Sequence, residues 1–312
     1  MKAVQINAYG GNEVVKIDND VSVPPLSQGE ILVKIKAAGI NPVDWKIREG
    51  FLHQRMPLRF PSTLGGDFSG EVDKIGEGVS GFSKGDQVYG SALIMRGGSG
   101  AFAEFAVAAA KAIAHKPKSL NDIEAAALPL IGSSAWQALV EHMHLSSGQK
   151  ILIHGGAGGI GSIAIQLAKH LGSYVATTAA AEDMPYVKEL GADKTIDYKK
   201  QSFEDLLNDY DAAFDTIGGQ IYEKSFKILK KGGIIVSMLE QPRSDLMEQY
   251  GVRAIGQFTL VSTERLKKVA ELADKGIIKV FIDKTFPLEQ TKEALDYQQK
   301  SHSRGKVVLT IN

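Results

Sequence analysis

The chain has 312 residues, enough for about two domains at roughly 150 residues each, and 44% of them are hydrophobic. Its 36 basic and 36 acidic side chains leave no formal net charge, which argues against binding to nucleic acid or to a membrane surface through a basic patch. Cysteine is absent, which excludes disulfides, cysteine-ligated zinc, iron–sulfur clusters and thiol nucleophiles. No N-terminal apolar signal core and no apolar run of ~20 residues is found, so we expect a cytoplasmic protein that does not span a membrane.

Short strand patterns separated by glycine-rich turns fill the first part of the chain. Residues 31–36 (ILVKIK) alternate apolar and polar side chains, as a half-buried strand does. Turn clusters such as residues 97–100 (GGSG) separate this run from similar ones. The pattern predicts a β-barrel or sandwich that ends near residue 117.

Strands and helices alternate in the second part of the chain. Strand patterns at residues 151–153, 174–177, 212–216 and 234–236 are separated by helical patterns, which predicts a parallel sheet with helices on both faces. After these, strands near Val280 and at residues 306–310 flank a helix, and we expect this tail to return to the first domain. The predicted fold is therefore α/β, with residues 1–117 and 278–312 in a β-barrel domain and residues 118–277 in a doubly wound domain.

A glycine-rich turn follows the strand at residues 151–153. Gly156, Gly158 and Gly161 fit the pattern G-x-G-x-x-G, and an uninterrupted helical pattern begins at once. This strand–turn–helix context is the one in which the pattern binds a dinucleotide, because the glycines let backbone N–H groups at a helix N-terminus approach a pyrophosphate. The alternative is a tight turn that binds nothing.

The end of the next strand indicates which dinucleotide is bound. A site for NAD has an acidic residue there, whereas this strand ends in Thr177-Thr178 followed by three alanines. An acid would repel a 2′-phosphate and none is present, so the sequence favours NADP(H). Glu182 and Asp183 lie only slightly further along, which leaves NAD as an alternative.

At this point the sequence resembles a known family, the zinc-independent quinone and enone oxidoreductases of the medium-chain dehydrogenase/reductase superfamily. The resemblance runs nearly end to end and implies a GroES-like β-barrel domain, a Rossmann domain and a cofactor in the cleft between them. Besides the glycine-rich turn, it is carried by residues 38–46 (AGINPVDWK), 64–70 (LGGDFSG), 85–90 (GDQVYG), 101–105 (AFAEF), 128–136 (LPLIGSSAW), 191–193 (GAD), 197–198 (DY) and 215–219 (DTIGG).

The resemblance implies positions for the nucleotide half of NADPH. Backbone groups of residues 158–160 would contact the pyrophosphate, Thr178 and Tyr198 would lie near the 2′-phosphate, and Ile217 would lie beside the adenine ribose. Family members often carry a lysine for the 2′-phosphate where this chain has Asp183, and Tyr198 has packing at a strand end as its alternative role. The predicted residues of the turn are Gly156, Gly158, Gly159, Ile160 and Gly161.

The resemblance also implies positions for the nicotinamide half and the substrate. Asn41 would lie at the nicotinamide ribose, while Ser134 and Phe258 would lie toward the nicotinamide. Lys46 is the predicted catalytic residue, because the string Asn-Pro-Val-Asp-x-Lys resembles the enone-reductase branch, in which the lysine lies near the nicotinamide. Bacterial quinone reductases of the family tend instead to have tyrosines where this chain has Lys46 and Leu52. The alternative for Lys46 is an exposed ion pair with the nearby Asp44, worth little energy.

No metal is expected. Related alcohol dehydrogenases hold a catalytic zinc through cysteines and a histidine in a Gly-His-Glu segment, and the matching place here reads Gly65-Gly66-Asp67. Without zinc, hydrogen-bond donors must stabilise the negative charge that develops on the substrate oxygen, which suits quinones and α,β-unsaturated carbonyls because their reduction passes through an enolate.

The sequence therefore predicts an NADPH-dependent reductase of quinones or α,β-unsaturated carbonyls that works by hydride transfer without a metal. We expect a homodimer with a small-molecule substrate and no nucleic-acid or membrane partner. The alternative is a relative that binds NADPH but has a binding or structural role.

Overall fold

The structure is a computed structural model that describes residues 1–54, 56–301 and 303–311. Its strands are β1 (Ala3–Ile6), β2 (Val15–Asp18), β3 (Glu30–Ile40), β4 (Ser62–Thr63), β5 (Asp67–Ile75), β6 (Gln87–Ser91), β7 (Phe105–Ala109), β8 (Ile113–His115), β9 (Lys150–Ile153), β10 (Tyr174–Ala179), β11 (Lys194–Asp197), β12 (Tyr210–Asp215), β13 (Leu229–Ser237), β14 (Arg253–Gly256), β15 (Ile282–Pro287) and β16 (Lys306–Thr310). Its α-helices are α1 (Pro42–Arg48), α2 (Asp122–Trp136), α3 (Gly159–His170), α4 (Met184–Glu189), α5 (Phe203–Leu206), α6 (Gln220–Ser225), α7 (Ser244–Tyr250), α8 (Thr263–Asp274) and α9 (Thr291–Lys300).

The second half of the chain forms a six-stranded sheet in which all the strands are parallel. Its order is β11-β10-β9-β12-β13-β14, so the chain starts in the middle, moves to one edge and then returns to build the other side. This is the strand order of a dinucleotide-binding doubly wound fold. The central strand β9 is buried at Ile151, Leu152 and Ile153, as a strand covered on both faces should be. The predicted α/β fold with a doubly wound sheet is confirmed.

An antiparallel arrangement dominates the remaining strands. Seven strands form a sheet in the order β15-β16-β3-β5-β6-β8, with β7 paired to β3, and β2-β1-β4 form a smaller sheet. The C-terminal strand β16 lies against β3, with Val307 opposite Ile40. The strand predicted near Val280 begins at Ile282. Buried side chains such as Ile31, Phe68 and Phe102 form the core of this region.

The chain divides into two compact units. The first unit comprises Met1–Leu130, Val261–Gly276 and Val280–Asn312, and the second comprises Ile131–Leu260 and Ile277–Lys279. Residues 118–130 and 261–276 thus belong to the first unit, whereas the domain boundaries predicted from sequence put them in the second. Tertiary contacts account for the difference, because the Tyr89 hydroxyl donates to the Leu266 carbonyl and the Ser69 hydroxyl donates to the Asp122 carbonyl.

One long apolar helical segment lies among the described residues. Helix α2 continues as a π-helix over Gln137–His142, and by length and composition the segment Asp122–His142 could cross a membrane. However, 72% of its apolar window is buried inside the protein, which is typical of a core helix.

Candidate active site

The glycine-rich turn follows β9 and leads into α3. Gly156 N–H donates to the Thr178 carbonyl over 3.0 Å, and Gly158 N–H donates to the Gly155 carbonyl over 3.0 Å. The left-handed residue of the turn is Gly155, with φ +67°, rather than any of the three glycines of the motif. The sharp reversal therefore depends on a fourth glycine that the motif does not include.

The three motif glycines differ in what a side chain would meet. A Cβ on Gly156 would lie 2.1 Å from Thr177 Oγ1, and one on Gly161 would lie 2.2 Å from the Gly155 carbonyl oxygen. At Gly158 the nearest atom would be the Gly155 oxygen at 3.4 Å, so the space beside this residue is open. Gly156 and Gly161 thus permit close packing, and Gly158 leaves room for a ligand. The N–H groups that begin α3 have no partner inside the helix, and this donor set fits a dinucleotide pyrophosphate.

A buried hydrogen-bond chain supports the turn from below. The Ser225 hydroxyl donates to the Ile221 carbonyl, so it accepts from His154 Nε2 over 2.9 Å. Burial lowers the pKa of His154 to about 4, and the neutral ring accepts at Nδ1 from the Thr178 hydroxyl over 3.2 Å. Thr178 Oγ1 in turn accepts the Gly155 N–H. The Thr178 hydroxyl therefore faces the interior and orders the turn, which leaves it no free hydrogen for a phosphate.

Ile217 lies next to the glycine-rich turn. A Cβ on Gly155 would be 3.1 Å from Ile217 Cδ1, and the Ile217 side chain is 51% exposed. Asp215, which is fully buried at the end of β12, fixes this loop because its Oδ1 accepts the N–H groups of Ile217 and Gly218, each over 2.9 Å. An apolar side chain is thus held at the surface beside the turn.

Tyr198 and Lys199 follow β11 at the same edge of the sheet. The Tyr198 side chain is 48% exposed, and its N–H donates to the carbonyl of Ala179, the last residue of β10. Lys199 Nζ lies 5.9 Å from the centre of the Tyr198 ring and 3.2 Å from Glu182 Oε1. A hydrogen bond from Lys199 to Glu182 raises the pKa of the lysine. A cation and an exposed aromatic ring therefore stand beside the end of β10.

Ser134 and Phe258 meet at the segment that follows β14. Ser134 is fully buried, and its Oγ lies 2.7 Å from Thr259 Oγ1. Gln257 Nε2 donates to the Ser134 carbonyl over 3.1 Å, and Gln137 Oε1 accepts the Leu260 N–H over 3.1 Å. These contacts hold the segment on the π-helix, with the Phe258 side chain 52% exposed. The two glutamines were not among the predicted site residues.

Asn41 links β3 to α1 in the first unit. Its N–H donates to Asp44 Oδ2 over 2.7 Å, and its carbonyl accepts the Asp44 N–H over 2.9 Å, so the two residues close the first turn of α1. The side chain of Asn41 is only 2% exposed.

Two carboxyl groups and a lysine are buried around Asn41. Lys306 Nζ donates to Asn41 Oδ1 over 2.6 Å, and Asn41 Nδ2 donates to Asp67 Oδ2 over 3.0 Å. Burial raises the pKa of Asp44 and of Asp67, and burial lowers the pKa of Lys306, while the opposite charges partly offset both effects. These groups are therefore coupled in one network.

Lys46 lies on the last turn of α1 beside Trp45. Its Nζ is 5.5 Å from the centre of the Trp45 ring, and partial burial lowers its pKa. Asp44 is fully buried, and the charged groups that act on it are Asp67 and Lys306. The exposed Asp44–Lys46 ion pair offered as an alternative is therefore wrong, because Asp44 is committed to the helix start.

The structure gathers the predicted residues into groups. In the second unit, the turn, Thr178, Tyr198 and Ile217 lie at the carboxyl ends of β9, β10, β11 and β12, the edge where doubly wound sheets bind ligands. Ser134 and Phe258 form another group, and in the first unit Asn41 precedes α1 and Lys46 lies on it. Among the described residues, no three histidine or acidic side chains cluster in a way that could hold a metal ion.

Sequence reasoning missed Lys306, Asp67 as a network member, and Lys199. Lys306 could have been identified from the sequence, because it is a lysine at the start of an otherwise largely apolar strand, KVVLT at residues 306–310. Its partners could not be read from the sequence, because they depend on the register between β16 and β3. Lys199 follows Asp197-Tyr198 directly and could have been noted as the cation next to the predicted tyrosine.

The chain matches two known domain families and is similar to several known proteins. Residues 27–118 match the alcohol dehydrogenase GroES-like domain family, and residues 190–309 match the zinc-binding dehydrogenase family. The chain is 39% identical to a 2-methylene-furan-3-one reductase of Solanum lycopersicum and 37% identical to a chloroplastic NADPH-dependent alkenal/one oxidoreductase of Arabidopsis thaliana, covering 99% of this chain and 79% of each relative. The solved structure of the quinone oxidoreductase from Coxiella burnetii is 33% identical and superposes with a TM-score of 0.92, covering 100% of this chain and 99% of that one.

Proposed function

The chain belongs to the quinone and enone oxidoreductases of the medium-chain dehydrogenase/reductase superfamily, and on this basis we propose that it reduces quinones or α,β-unsaturated carbonyls with NADPH. When bound, NADPH supplies the hydride. The observation that carries the proposal is the open space at Gly158, at the start of α3, in a sheet of dinucleotide-binding order.

The residues that hold the nucleotide half of NADPH lie in the second unit. The N–H groups of Gly159 and Ile160 bind the pyrophosphate at the N-terminus of α3, where the helix dipole favours negative charge. Ile217 packs against the adenine ribose. Thr178 keeps the end of β10 free of an acid and shapes the turn, while its hydroxyl stays bonded to His154.

We propose that Lys199 supplies the positive charge for the 2′-phosphate, beside Tyr198. The position at which related proteins often carry a lysine is Asp183 in this chain, so the positive charge must come from another residue. Lys199 is paired with Glu182 in the structure. Lys199→Ala should raise the KM for NADPH about threefold to tenfold, as expected for one charge-assisted hydrogen bond at the surface, and leave the KM for NADH unchanged. Lys200→Ala is the matched control. Equal effects of Lys199→Ala on both cofactors would contradict the assignment.

Lys46 stabilises the charge that develops on the substrate oxygen. Hydride addition to the β-carbon of an enone, or to a quinone ring, pushes an electron pair onto the oxygen and gives an enolate or phenolate. The Lys46 ammonium donates a hydrogen bond to that oxygen, and its lowered pKa brings it closer to the acidity needed to pass on a proton. An enolate is a weaker base than the alkoxide of simple ketone reduction, so a hydrogen-bond donor is sufficient and no metal is required.

The test is NADPH oxidation with a panel of quinones, enals and enones, carried out in a strong chelator. We expect turnover with at least one class of acceptor and no loss of activity on chelation. NADPH binding without turnover on any acceptor would favour the alternative, a binding or structural role. Activity that is lost on chelation and restored by a metal would contradict metal-free catalysis.

We further propose a homodimer in the cytoplasm. Strand β14 ends the parallel sheet, and an edge strand offers its backbone groups for pairing with another chain. Light scattering that gives twice the mass of one chain supports the dimer, and the mass of one chain contradicts it. Cell fractionation tests the location, since one of the named relatives is chloroplastic.

A further inference from the structure

A lysine is buried at the first residue of β16. Lys306 is 4% exposed, and the three residues that follow it are apolar and buried. Removing an ammonium group from water is costly unless it gains good partners, and a methionine would fill similar space without that cost. Packing alone therefore gives no reason for a lysine here, so its hydrogen bonds must be considered.

These hydrogen bonds fix the orientation of one side-chain amide. Lys306 Nζ donates to the Ile40 carbonyl and to Asn41 Oδ1, and an ammonium group can only donate. On the other side, Asn41 Nδ2 donates to Asp67 Oδ2, which also accepts the Leu130 N–H over 3.0 Å. The reversed amide would set its NH₂ group against the ammonium and its oxygen against the carboxyl, so only one orientation is stable.

Asn41 is left with one available donor. Its N–H and its carbonyl are bonded to Asp44, its Oδ1 to Lys306, and one hydrogen of Nδ2 to Asp67. Within the part of the chain that the structure describes, the second hydrogen of Nδ2 has no acceptor. Nδ2 already has one partner in Asp67, so its second hydrogen is the donor that this side chain can offer to a ligand atom.

We propose that Lys306 and Asp67 are positioning residues that aim the remaining N–H of Asn41 at the nicotinamide ribose of NADPH. Ribose hydroxyl oxygens accept such a hydrogen bond. The inference rests on the proposed function, with Asn41 at the nicotinamide ribose as the resemblance implies. Lys306 and Asp67 act on the cofactor through Asn41.

A double-mutant cycle tests whether Lys306 acts through Asn41. The Kd for NADPH is measured by nicotinamide fluorescence, without acceptor, for the wild type, Asn41→Ala, Lys306→Met and the double variant. Each single variant should raise Kd about threefold to tenfold, the effect of one lost hydrogen bond. The double variant should bind NADPH no more weakly than Asn41→Ala alone. Once the Asn41 amide is gone, Lys306 has no amide left to orient, so its removal adds no further loss.

Controls separate positioning from stability. Val308→Ala removes a fully buried side chain on the same strand, so it should lower Tm but leave Kd unchanged. If Lys306→Met does not fold, Asp67→Ala gives the same cycle with Asn41→Ala, because Lys306 then keeps Asp44 as its counter-charge. Wild-type Kd in Lys306→Met, wild-type Kd in Asn41→Ala, or additive effects in the double variant would overturn the inference. A wild-type protein that does not bind NADPH would instead overturn the proposed function.

Discussion

At the scale of the residue, the environment of Lys46 determines what it can do. The ammonium is half-buried beside the Trp45 ring, and burial lowers its pKa, so it is less tightly hydrated than a surface lysine. The neighbouring carboxyl of Asp44 is occupied at the start of α1 and does not neutralise it. A partly desolvated donor of this kind is worth more to a developing oxyanion than one in open water.

Replacing Lys46 should therefore slow the chemical step. Lys46→Met keeps most of the side-chain volume, and we expect kcat to fall at least about tenfold because the hydrogen bond strengthens as the enolate forms. The Kd for NADPH should change less. Lys34→Met, which removes an exposed lysine on β3, is the control. A Lys46→Met enzyme with wild-type kcat would leave proton delivery to solvent.

His154 makes stability depend on pH. Its folded pKa of about 4 lies below the ordinary 6.5, because burial disfavours the charged ring, so the unfolded chain binds a proton that the folded chain refuses. The part of the unfolding free energy that depends on the neutral ring is complete above pH 6.5 and is lost as the pH falls towards 4. At about 1.4 kcal/mol per pKa unit, the loss is on the order of 3 kcal/mol.

A neutral substitute should remove that dependence. Between pH 6.5 and pH 4, the free energy of unfolding of His154→Gln, measured with urea, should fall by about 3 kcal/mol less than that of the wild type. The buried carboxyls of Asp44 and Asp67 act in both proteins, so the difference isolates the histidine. An equal change of unfolding free energy with pH in the two proteins would contradict this, because it would show that the folded ring binds a proton as readily as the unfolded one.

At the scale of the element, the start of α3 combines a glycine with open space beside it and a glycine that permits close packing. Gly158 has φ −75° and open space, so alanine can adopt its backbone conformation, whereas a Cβ on Gly161 would collide with the backbone of the turn. Gly158→Ala should cost about 1 kcal/mol or less of stability yet raise the Kd for NADPH, since its methyl group enters the pyrophosphate space. Gly161→Ala should lower stability by about 1–3 kcal/mol as well. Thermal unfolding and fluorescence titration of the two variants check this contrast, and equal losses of stability would contradict it.

The elements themselves were largely predictable, while their partners were less so. Alternation at residues 31–36 and the apolar run at 151–153 identify strands because side-chain burial sets the period. The strand, turn and helix around residues 156–161 were predictable because a local motif specifies them. The network of the first unit was not predictable, because its side chains meet across long sequence separations, as Lys306 meets Asn41, and because Asp44 turns inward to close a helix.

At the scale of the whole molecule, the chain leaves its first unit and returns to it. Strand β16, near the C-terminus, pairs with β3, near the N-terminus. Within the first unit, the Tyr89 hydroxyl donates a hydrogen bond to the Leu266 carbonyl of α8. The return places Lys306 beside Asn41, so completion of the network in the first unit requires the C-terminal strand. The second unit supplies the glycine-rich turn and the edge of the parallel sheet.

Isotope transfer is the most direct test of hydride transfer from NADPH to an unsaturated carbonyl. NADPH with deuterium in place of both hydrogens at the reactive carbon of the nicotinamide is incubated with the protein and an enone, and the product is analysed by mass spectrometry and NMR. We expect the saturated ketone with one deuterium at its β-carbon and a solvent-derived proton at its α-carbon. Bound NADPH with no reduced product, or a reduced product without deuterium at the β-carbon, would contradict it.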